Sequence, residues 1–448
     1  MKVKKVNIRH ISIGENLPVI PQSMTNTNTR SVQETINQSL RIVENGGKMV
    51  RISVPSREDV KAMQTIVDEI RKLGYDFPII ADVHFNPEIA EMLSGIVDKI
   101  RINPGNFTDK KNNNQHDFSA KEHDDAFRHM KARARPLIEK CKERGTAIRV
   151  GVNQGSLSDR IIARYGHTPL ALAKSAIEWI DICEEIDFEN VLFSLKSSNV
   201  YTMVEAYKIF HKEMEMRGSI YPLHVGVTEA GYGLAGRVKS AVGIGALLLE
   251  GVGSTIRVSL TEKPEDEIPF ANHLIQFAAS DFQHHYFIEN EILHYIYDEE
   301  DYDRWIAGAC AVSGYEHFRH KLKGIIVKNR HFSSEQQQEL TAAIEQACRI
   351  KISKTEIISC PTCSRTDYDI EKVIKIAEER FSHFPGLKIG VMGCVVNGPG
   401  EMADADFGIV GASGNKVVVY QGKNRITPVL PLEEGIAVLE KAILKFRN

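Results

Sequence analysis

In Lys99-Ile100-Arg101-Ile102-Asn103, β-branched residues alternate with charged or amide ones. That is the period of an extended strand, whose successive side chains face opposite ways, so Arg101 and Asn103 point to one side. Over residues 1–280 the same unit recurs: a short apolar run, a polar turn, then an amphipathic stretch of helical length. Eight runs read as strands: Val19–Met24, Met49–Ser53, Phe77–Val83, Lys99–Asn103, Ala147–Val152, Val191–Lys196, Leu223–Val227 and Thr255–Ser259. Eight such βα units in series predict an α/β fold built on an N-terminal TIM (β/α)8 barrel.

In a barrel the strand ends share one rim, where ligands bind. Here they carry Arg51 and Ser53, Asp82 and His84, Arg101 and Asn103, Arg149 and Asn153, Lys196 and Ser198, Thr228 and Glu229, and Arg257 and Ser259. Five fixed cations, Arg51, Arg101, Arg149, Lys196 and Arg257, would face one pocket together with His84. Asp82 and Glu229 do not offset them all. Guanidinium forks match phosphate oxygens, so a ligand with two phosphates is the simplest balance. A single arginine at a strand end commonly closes a structural salt bridge; five cations at equivalent ends favour an anionic ligand.

The composition excludes several classes. The chain has 448 residues and a formal net charge of −3, long enough for two or three domains and without the basic surplus of a general nucleic-acid binder. Met1-Lys2-Val3-Lys4-Lys5 leads into no apolar signal region, and no segment reaches membrane-spanning length, so a cytoplasmic protein is expected. Seven cysteines at irregular spacing fit reduced thiols, with Cys141, Cys183 and Cys348 read as packing residues of helices.

Three thiols near the end of the chain stand apart. Cys360-Pro361-Thr362-Cys363 is followed by Gly393-Cys394-Val395-Val396-Asn397-Gly398-Pro399-Gly400-Glu401. Three thiolates and a carboxylate suit zinc or an iron–sulfur cluster. An oxygen ligand is more easily displaced than a fourth thiolate, which points to a metal site that does chemistry. The glycines let backbone approach closely and aim N–H groups at sulfur. Both loops follow strands of a small α/β unit, one of them Leu387–Val391, closed by a helix after Pro431. Between about Asp281 and Ile350 no clear βα rhythm is legible. His284, His285, His294, His317, His320 and His331 lack zinc spacing and read as surface or packing residues. A helix is expected over Glu335 to Arg349, capped by Ser333 or Ser334.

The chain resembles the 4-hydroxy-3-methylbut-2-enyl diphosphate synthase family, iron–sulfur enzymes of the non-mevalonate isoprenoid pathway. The resemblance is carried by Gln22-Ser23-Met24-Thr25, Ala81-Asp82-Val83-His84-Phe85, Lys99 to Asn106, Arg149-Val150-Gly151-Val152-Asn153, Gly226 to Gly231, Ser359 to Cys363 and Gly393 to Glu401. It implies reductive ring opening and dehydration of 2-C-methyl-D-erythritol 2,4-cyclodiphosphate to 4-hydroxy-3-methylbut-2-enyl diphosphate, with two electrons passing through a 4Fe-4S cluster. It implies Cys360, Cys363, Cys394 and Glu401 as cluster ligands. Arg51, Asp82, His84, Arg101, Asn103, Arg149, Asn153, Lys196, Thr228, Arg257 and Ser259 would surround the substrate. Glu229 is expected to donate a proton, with His84 as the alternative. The implied organisation is a barrel over 1–280, a spacer over 281–352 and a cluster domain over 353–448 resembling the sulfite-reductase-like fold. Flavodoxin or ferredoxin is the implied donor, and a homodimer the implied assembly, with no nucleic-acid or membrane partner. The spacer lies between the short form, in which a partner chain caps the barrel, and the long form, in which a chain caps itself; the sequence leaves both open.

Two other classes stay in view. A zinc-dependent lyase or hydrolase acting on a phosphorylated small molecule would use the same four ligands and be colourless and redox-silent. A non-catalytic phosphate-binding or electron-carrier module would not need five cations in its pocket.

Overall fold

The structure, a computed structural model, describes residues 2–107, 118–361, 366, 368–394 and 398–447. Among these residues eight parallel strands form one sheet: β1 (Ile20–Met24), β2 (Met49–Ser53), β3 (Ile79–Val83), β4 (Lys99–Ile102), β5 (Ala147–Asn153), β6 (Val191–Lys196), β7 (His224–Val225) and β8 (Thr255–Ile256). The order β6-β5-β4-β3-β2-β1-β8-β7 is closed by a parallel bridge between Phe193 and Leu223, which makes the sheet a barrel. The expected TIM barrel with a C-terminal α/β domain is the observed architecture.

β7 and β8 are shorter than the runs that predicted them. At Gly226 a side chain would lie 2.6 Å from the Arg257 carbonyl, and the Thr228 N–H turns to Ser197 O at 3.2 Å. The ladder therefore stops early and the rim opens on that side. The opposite end is plugged by a hairpin of Val6–Ile8 and Ile11–Ile13, whose Val6, Ile8 and Ile13 pack on Met49, Ile80, Ala147 and Leu192.

Beyond the barrel the structure overturns one expectation. Residues 286–347 do have a βα rhythm: Tyr286–Glu289 pairs antiparallel with Ile292–Ile296, which runs through the helix Tyr302–His320 to the parallel strand Gly324–Lys328, followed by the helix Ser334–Ala347. The rhythm was hidden because only alternate residues of the two parallel strands are apolar and buried. Ser333 caps the last helix through a reciprocal bond with Gln336. The segment is no loose linker. Its helix Tyr302–His320 lies against the barrel helix Gly233–Leu249, with Gly245 against Ala311 and Gly314 against the Val242 carbonyl, contacts too close for a side chain at either glycine. Trp305, Ile306 and Cys310 join the same apolar core as the barrel.

The C-terminal sheet orders Glu356–Ser359, Lys388–Met392, Phe407–Ala412 and Lys416–Gln421, the first three parallel and the fourth antiparallel, and Leu432–Arg447 packs across it. Cys141, Cys183, Cys310 and Cys348 are buried packing residues. Among the described residues no helix is long and apolar enough to cross a membrane.

Candidate active site

Inward-facing residues of the barrel strands, read towards their C-terminal ends, converge on one buried cavity, and the C-terminal domain roofs it. Arg51, Asp82, His84, Arg101, Arg149, Asn153, Lys196, Thr228, Glu229, Arg257 and Ser259 line it from the barrel. Cys360, Pro361, Met392, Cys394 and Gly398 line it from above. The roof belongs to the same chain. Ala230 forms an isolated parallel bridge with Ser359, Thr261 Oγ1 lies 2.7 Å from Ser359 Oγ, and Lys239 Nζ meets Glu356 Oε1 at 3.0 Å. Glu356 also pairs with Arg349 at 2.6 Å, so one carboxylate ties barrel, inserted segment and C-terminal domain together.

Most of the cations are not equivalent to one another. Arg101 donates to Asp82 Oδ1 at 3.0 Å and to Gly151 O at 3.0 Å, and lies 2.7 Å from His84 Nε2. Gly151 leaves the space across which that guanidinium lies. Burial would raise the Asp82 carboxyl, but Arg101, His84 and Arg51 hold it well below the usual range. Arg257 is held by both oxygens of Glu267, each at 3.0 Å. Glu267 was missed by sequence reading because it lies on a helix beyond the last strand; its other contacts, Ser23 Oγ at 2.7 Å and Leu260 N at 3.1 Å, are legible only in three dimensions.

Arg51 and Arg149 have no carboxylate within ion-pair distance among the described residues. Among the described residues Arg51 Nε reaches only Met24 Sδ, at 3.1 Å, and burial beside Arg257 and Arg101 brings its pKa down to about 9, still cationic at neutral pH. Arg149 is 1% exposed, and among the described residues its Nε and Nη1 have no acceptor. Burial, and then Arg51 and Arg101, depress it strongly, as burial and Arg149 depress Lys196. Buried donors without partners in a pocket lined by cations describe a seat for an anion.

Asn103 does not line the cavity. Its amide donates to Ser156 Oγ at 2.6 Å, while Asn153 Oδ1 accepts from Gly155 N at 3.0 Å, so the two asparagines brace the turn 154–156. Glu229 sits at the rim, 3% exposed, with a left-handed φ of 47° that its neighbour Ala230 follows into the bridge with Ser359. A non-glycine residue in that conformation costs about 1–2 kcal/mol, strain of the sort that gathers at functional sites.

Of the expected metal ligands, Cys360 and Cys394 are half-buried and open on the cavity. The Gly393 N–H donates to Cys360 Sγ at 3.0 Å, the bond a thiolate favours. Cys363 and the Glu401 side chain lie outside the described residues, and among those described no group of three potential metal ligands gathers.

Residues 3–272 match the GcpE TIM-barrel domain, and residues 356–445 match the GcpE protein C-terminal domain. The chain belongs to the GcpE family. It is 32% identical, over 98% of its length and 97% of the relative's, to a Phocaeicola vulgatus protein named 4-hydroxy-3-methylbut-2-en-1-yl diphosphate synthase (flavodoxin). It is 35% identical, over 98% of its length and 91% of the relative's, to a Crocosphaera subtropica protein named 4-hydroxy-3-methylbut-2-en-1-yl diphosphate synthase (ferredoxin). A Chlamydia pneumoniae protein of the flavodoxin name is 30% identical over 97% of this chain and 94% of its own. The Phocaeicola alignment runs over 594 positions and the Crocosphaera alignment over 440, so the former contains long stretches with no counterpart here.

Proposed function

We propose that this GcpE-family chain reductively opens and dehydrates 2-C-methyl-D-erythritol 2,4-cyclodiphosphate to 4-hydroxy-3-methylbut-2-enyl diphosphate. The observation that carries the reading is the meeting, in one buried cavity, of the anion seat around Arg51 and Arg149 with the thiols of Cys360 and Cys394. Full-length relatives bearing the synthase name support it.

Overall the reaction takes up two electrons and two protons and releases one water. The chain's own residues divide the work. Arg51, Arg149 and Lys196 hold the phosphates, and Arg101 is kept in register by Asp82 and His84. Arg257 and Ser259 border the same oxygens, with Thr228 and Asn153 beside them. Glu229, at the junction of barrel and roof, gives its carboxyl proton to the departing hydroxyl oxygen, which leaves as water. His84 is the second proton source within reach. Most of these side chains are buried, and the low dielectric around them strengthens each of these interactions.

Three cysteines and one glutamate, Cys360, Cys363, Cys394 and Glu401, would hold a 4Fe-4S cluster. The N–H bond to Cys360 Sγ and the opening of both described thiols towards the anion seat fit that group. Once bound, the cluster supplies the two electrons, one at a time, from an external carrier. That carrier is a flavodoxin or a ferredoxin, in keeping with the two names its relatives bear.

The test is anaerobic reconstitution with iron and sulfide, followed by reduction and assay of the cyclodiphosphate for the linear allylic diphosphate. Product that disappears in Cys394→Ser supports the reading. A brown, reducible protein that neither binds nor converts the cyclodiphosphate overturns it.

A further inference from the structure

TIM-barrel interiors are ordinarily filled by branched apolar side chains. One layer beneath the anion seat this barrel holds Lys99, Gln22, His224 and Thr255 instead, all at 1% exposure or less. Lys99 precedes Arg101 by two residues on β4 and faces the same way. Its amine has two acceptors, Gln22 Oε1 at 3.2 Å and Met49 Sδ at 3.5 Å, and no carboxylate within ion-pair distance among the described residues.

The buried acids beside the seat, Asp82 and Glu267, are engaged elsewhere. Asp82 is bound by Arg101 and His84, and Glu267 takes both its oxygens to Arg257. The charged groups that face Lys99 are Arg149 from β5 and Arg51 from β2, and His224 from β7 is the neighbouring titratable ring, itself bonded through Nδ1 to Thr255 Oγ1 at 2.8 Å. Lys196 on β6 stands higher up, beside the mouth, and burial and Arg149 depress its ammonium too, so variants at Lys99 are what separate the two amines. A low-dielectric barrel interior holding this many cations sheds the proton that is held least tightly. Arginine keeps its proton under nearly all conditions, whereas a buried lysine gives it up readily. Burial, then Arg149 and Arg51, push the Lys99 ammonium far below its ordinary value.

We propose that Lys99 is a titratable counter-charge for the anion seat, a neutral amine while the seat holds no anion and an ammonium once a diphosphate enters. This rests on the reading that the seat takes the cyclodiphosphate. On binding, one proton from solvent forms the third N–H bond at Lys99 Nζ, and the incoming negative charge compensates it. On departure of the anion the proton returns to solvent. Lys99 is thereby a positioning residue: it touches no reacting atom and sets the field under Arg51 and Arg149.

The test is calorimetric, on cluster-loaded protein without reductant, titrated with the cyclodiphosphate in buffers of different ionisation enthalpy at one pH, then across pH 7–9. Each phosphorus of a cyclic diphosphate carries one strongly acidic oxygen, so the ligand does not titrate in this window and any proton exchanged is the protein's. Uptake approaching one proton per ligand is expected, with Kd rising about tenfold per pH unit within the window. Lys99→Met and Lys99→Arg should both abolish the Lys99 proton and flatten the slope, the arginine variant keeping the tighter binding because its charge is fixed. Binding with buffer-independent heat in the unmutated protein overturns the proposal, as does uptake that persists in both variants. Absence of any binding would instead sink the reading of the seat as a cyclodiphosphate site.

Discussion

Gly400 of the C-terminal domain rests directly on Gly155 of the barrel rim: a side chain at position 400 would overlap the Gly155 carbonyl. Two backbones meet here with no side chain between them, on the turn that Asn103 and Asn153 brace. The roof is thus seated on its own barrel, and the cavity draws on one chain for both its walls and its lid.

Subunit mixing reads this out. If each chain closes its own cavity, Glu229→Gln mixed with Cys394→Ser should stay as inactive as either alone, because neither chain holds both halves intact. Activity recovered to an appreciable fraction of the unmutated protein would mean that lids are exchanged between chains.

Glu229 combines a proton-donating carboxyl with a left-handed backbone. Glu229→Gln should keep the fold and the binding of the cyclodiphosphate while turnover falls by roughly 100-fold or more. Glu229→Gly should melt higher than Glu229→Ala, by about 1 kcal/mol, since both lose the carboxyl and only glycine accepts the φ without strain. Equal stability of the two would show that the strain is absent.

Arg149 is a buried cation whose Nε and Nη1 have no acceptor among the described residues. Arg149→Met should raise the melting temperature of the ligand-free protein, because an uncompensated buried charge is replaced by an apolar chain. Affinity for the cyclodiphosphate should fall by about 1.5–3 kcal/mol, the contribution of a charge-assisted bond. A variant less stable without ligand would point instead to a structural salt bridge.

Glu356 joins Lys239 and Arg349 across the three parts of the chain. Burial alone would raise its pKa, but those two cations bring it from 4.5 down to about 2. A carboxylate lowered in the folded state stabilises it above the unfolded pKa and loses that contribution as pH falls through the folded one. The pair should therefore contribute about 3 kcal/mol at neutral pH, lost between roughly pH 4.5 and pH 2. Glu356→Gln should lower stability by a similar amount at pH 7 and melt with a shallower acid dependence over that range. An unchanged acid profile would remove Glu356 from the account.

Much of the barrel was legible because strand alternation is local: a residue's side is fixed by its neighbours two positions away, and each rim residue lies within its own strand or no more than a few residues past its end. That logic placed Arg51, Asp82, Arg101, Arg149 and Arg257 on one face, and the structure gathers them. It failed at Asn103, whose amide turns to Ser156, a choice made by a partner on the turn that follows β5. It failed again over residues 286–347, where half-buried strands carry too weak a period to be separated from polar loops.

The sequence by itself determined which side chains stand at the strand ends and which thiols leave the later strands, since both depend on short-range periodicity and turn chemistry. Only the tertiary structure decided that Arg257 is neutralised by Glu267 while Arg149 is not, that Lys99 lies beneath them without an acid, and that the lid closes on its own barrel. Those depend on distances of a few ångströms between segments far apart in the chain, and on the low dielectric that burial creates around charges, neither of which any local pattern encodes.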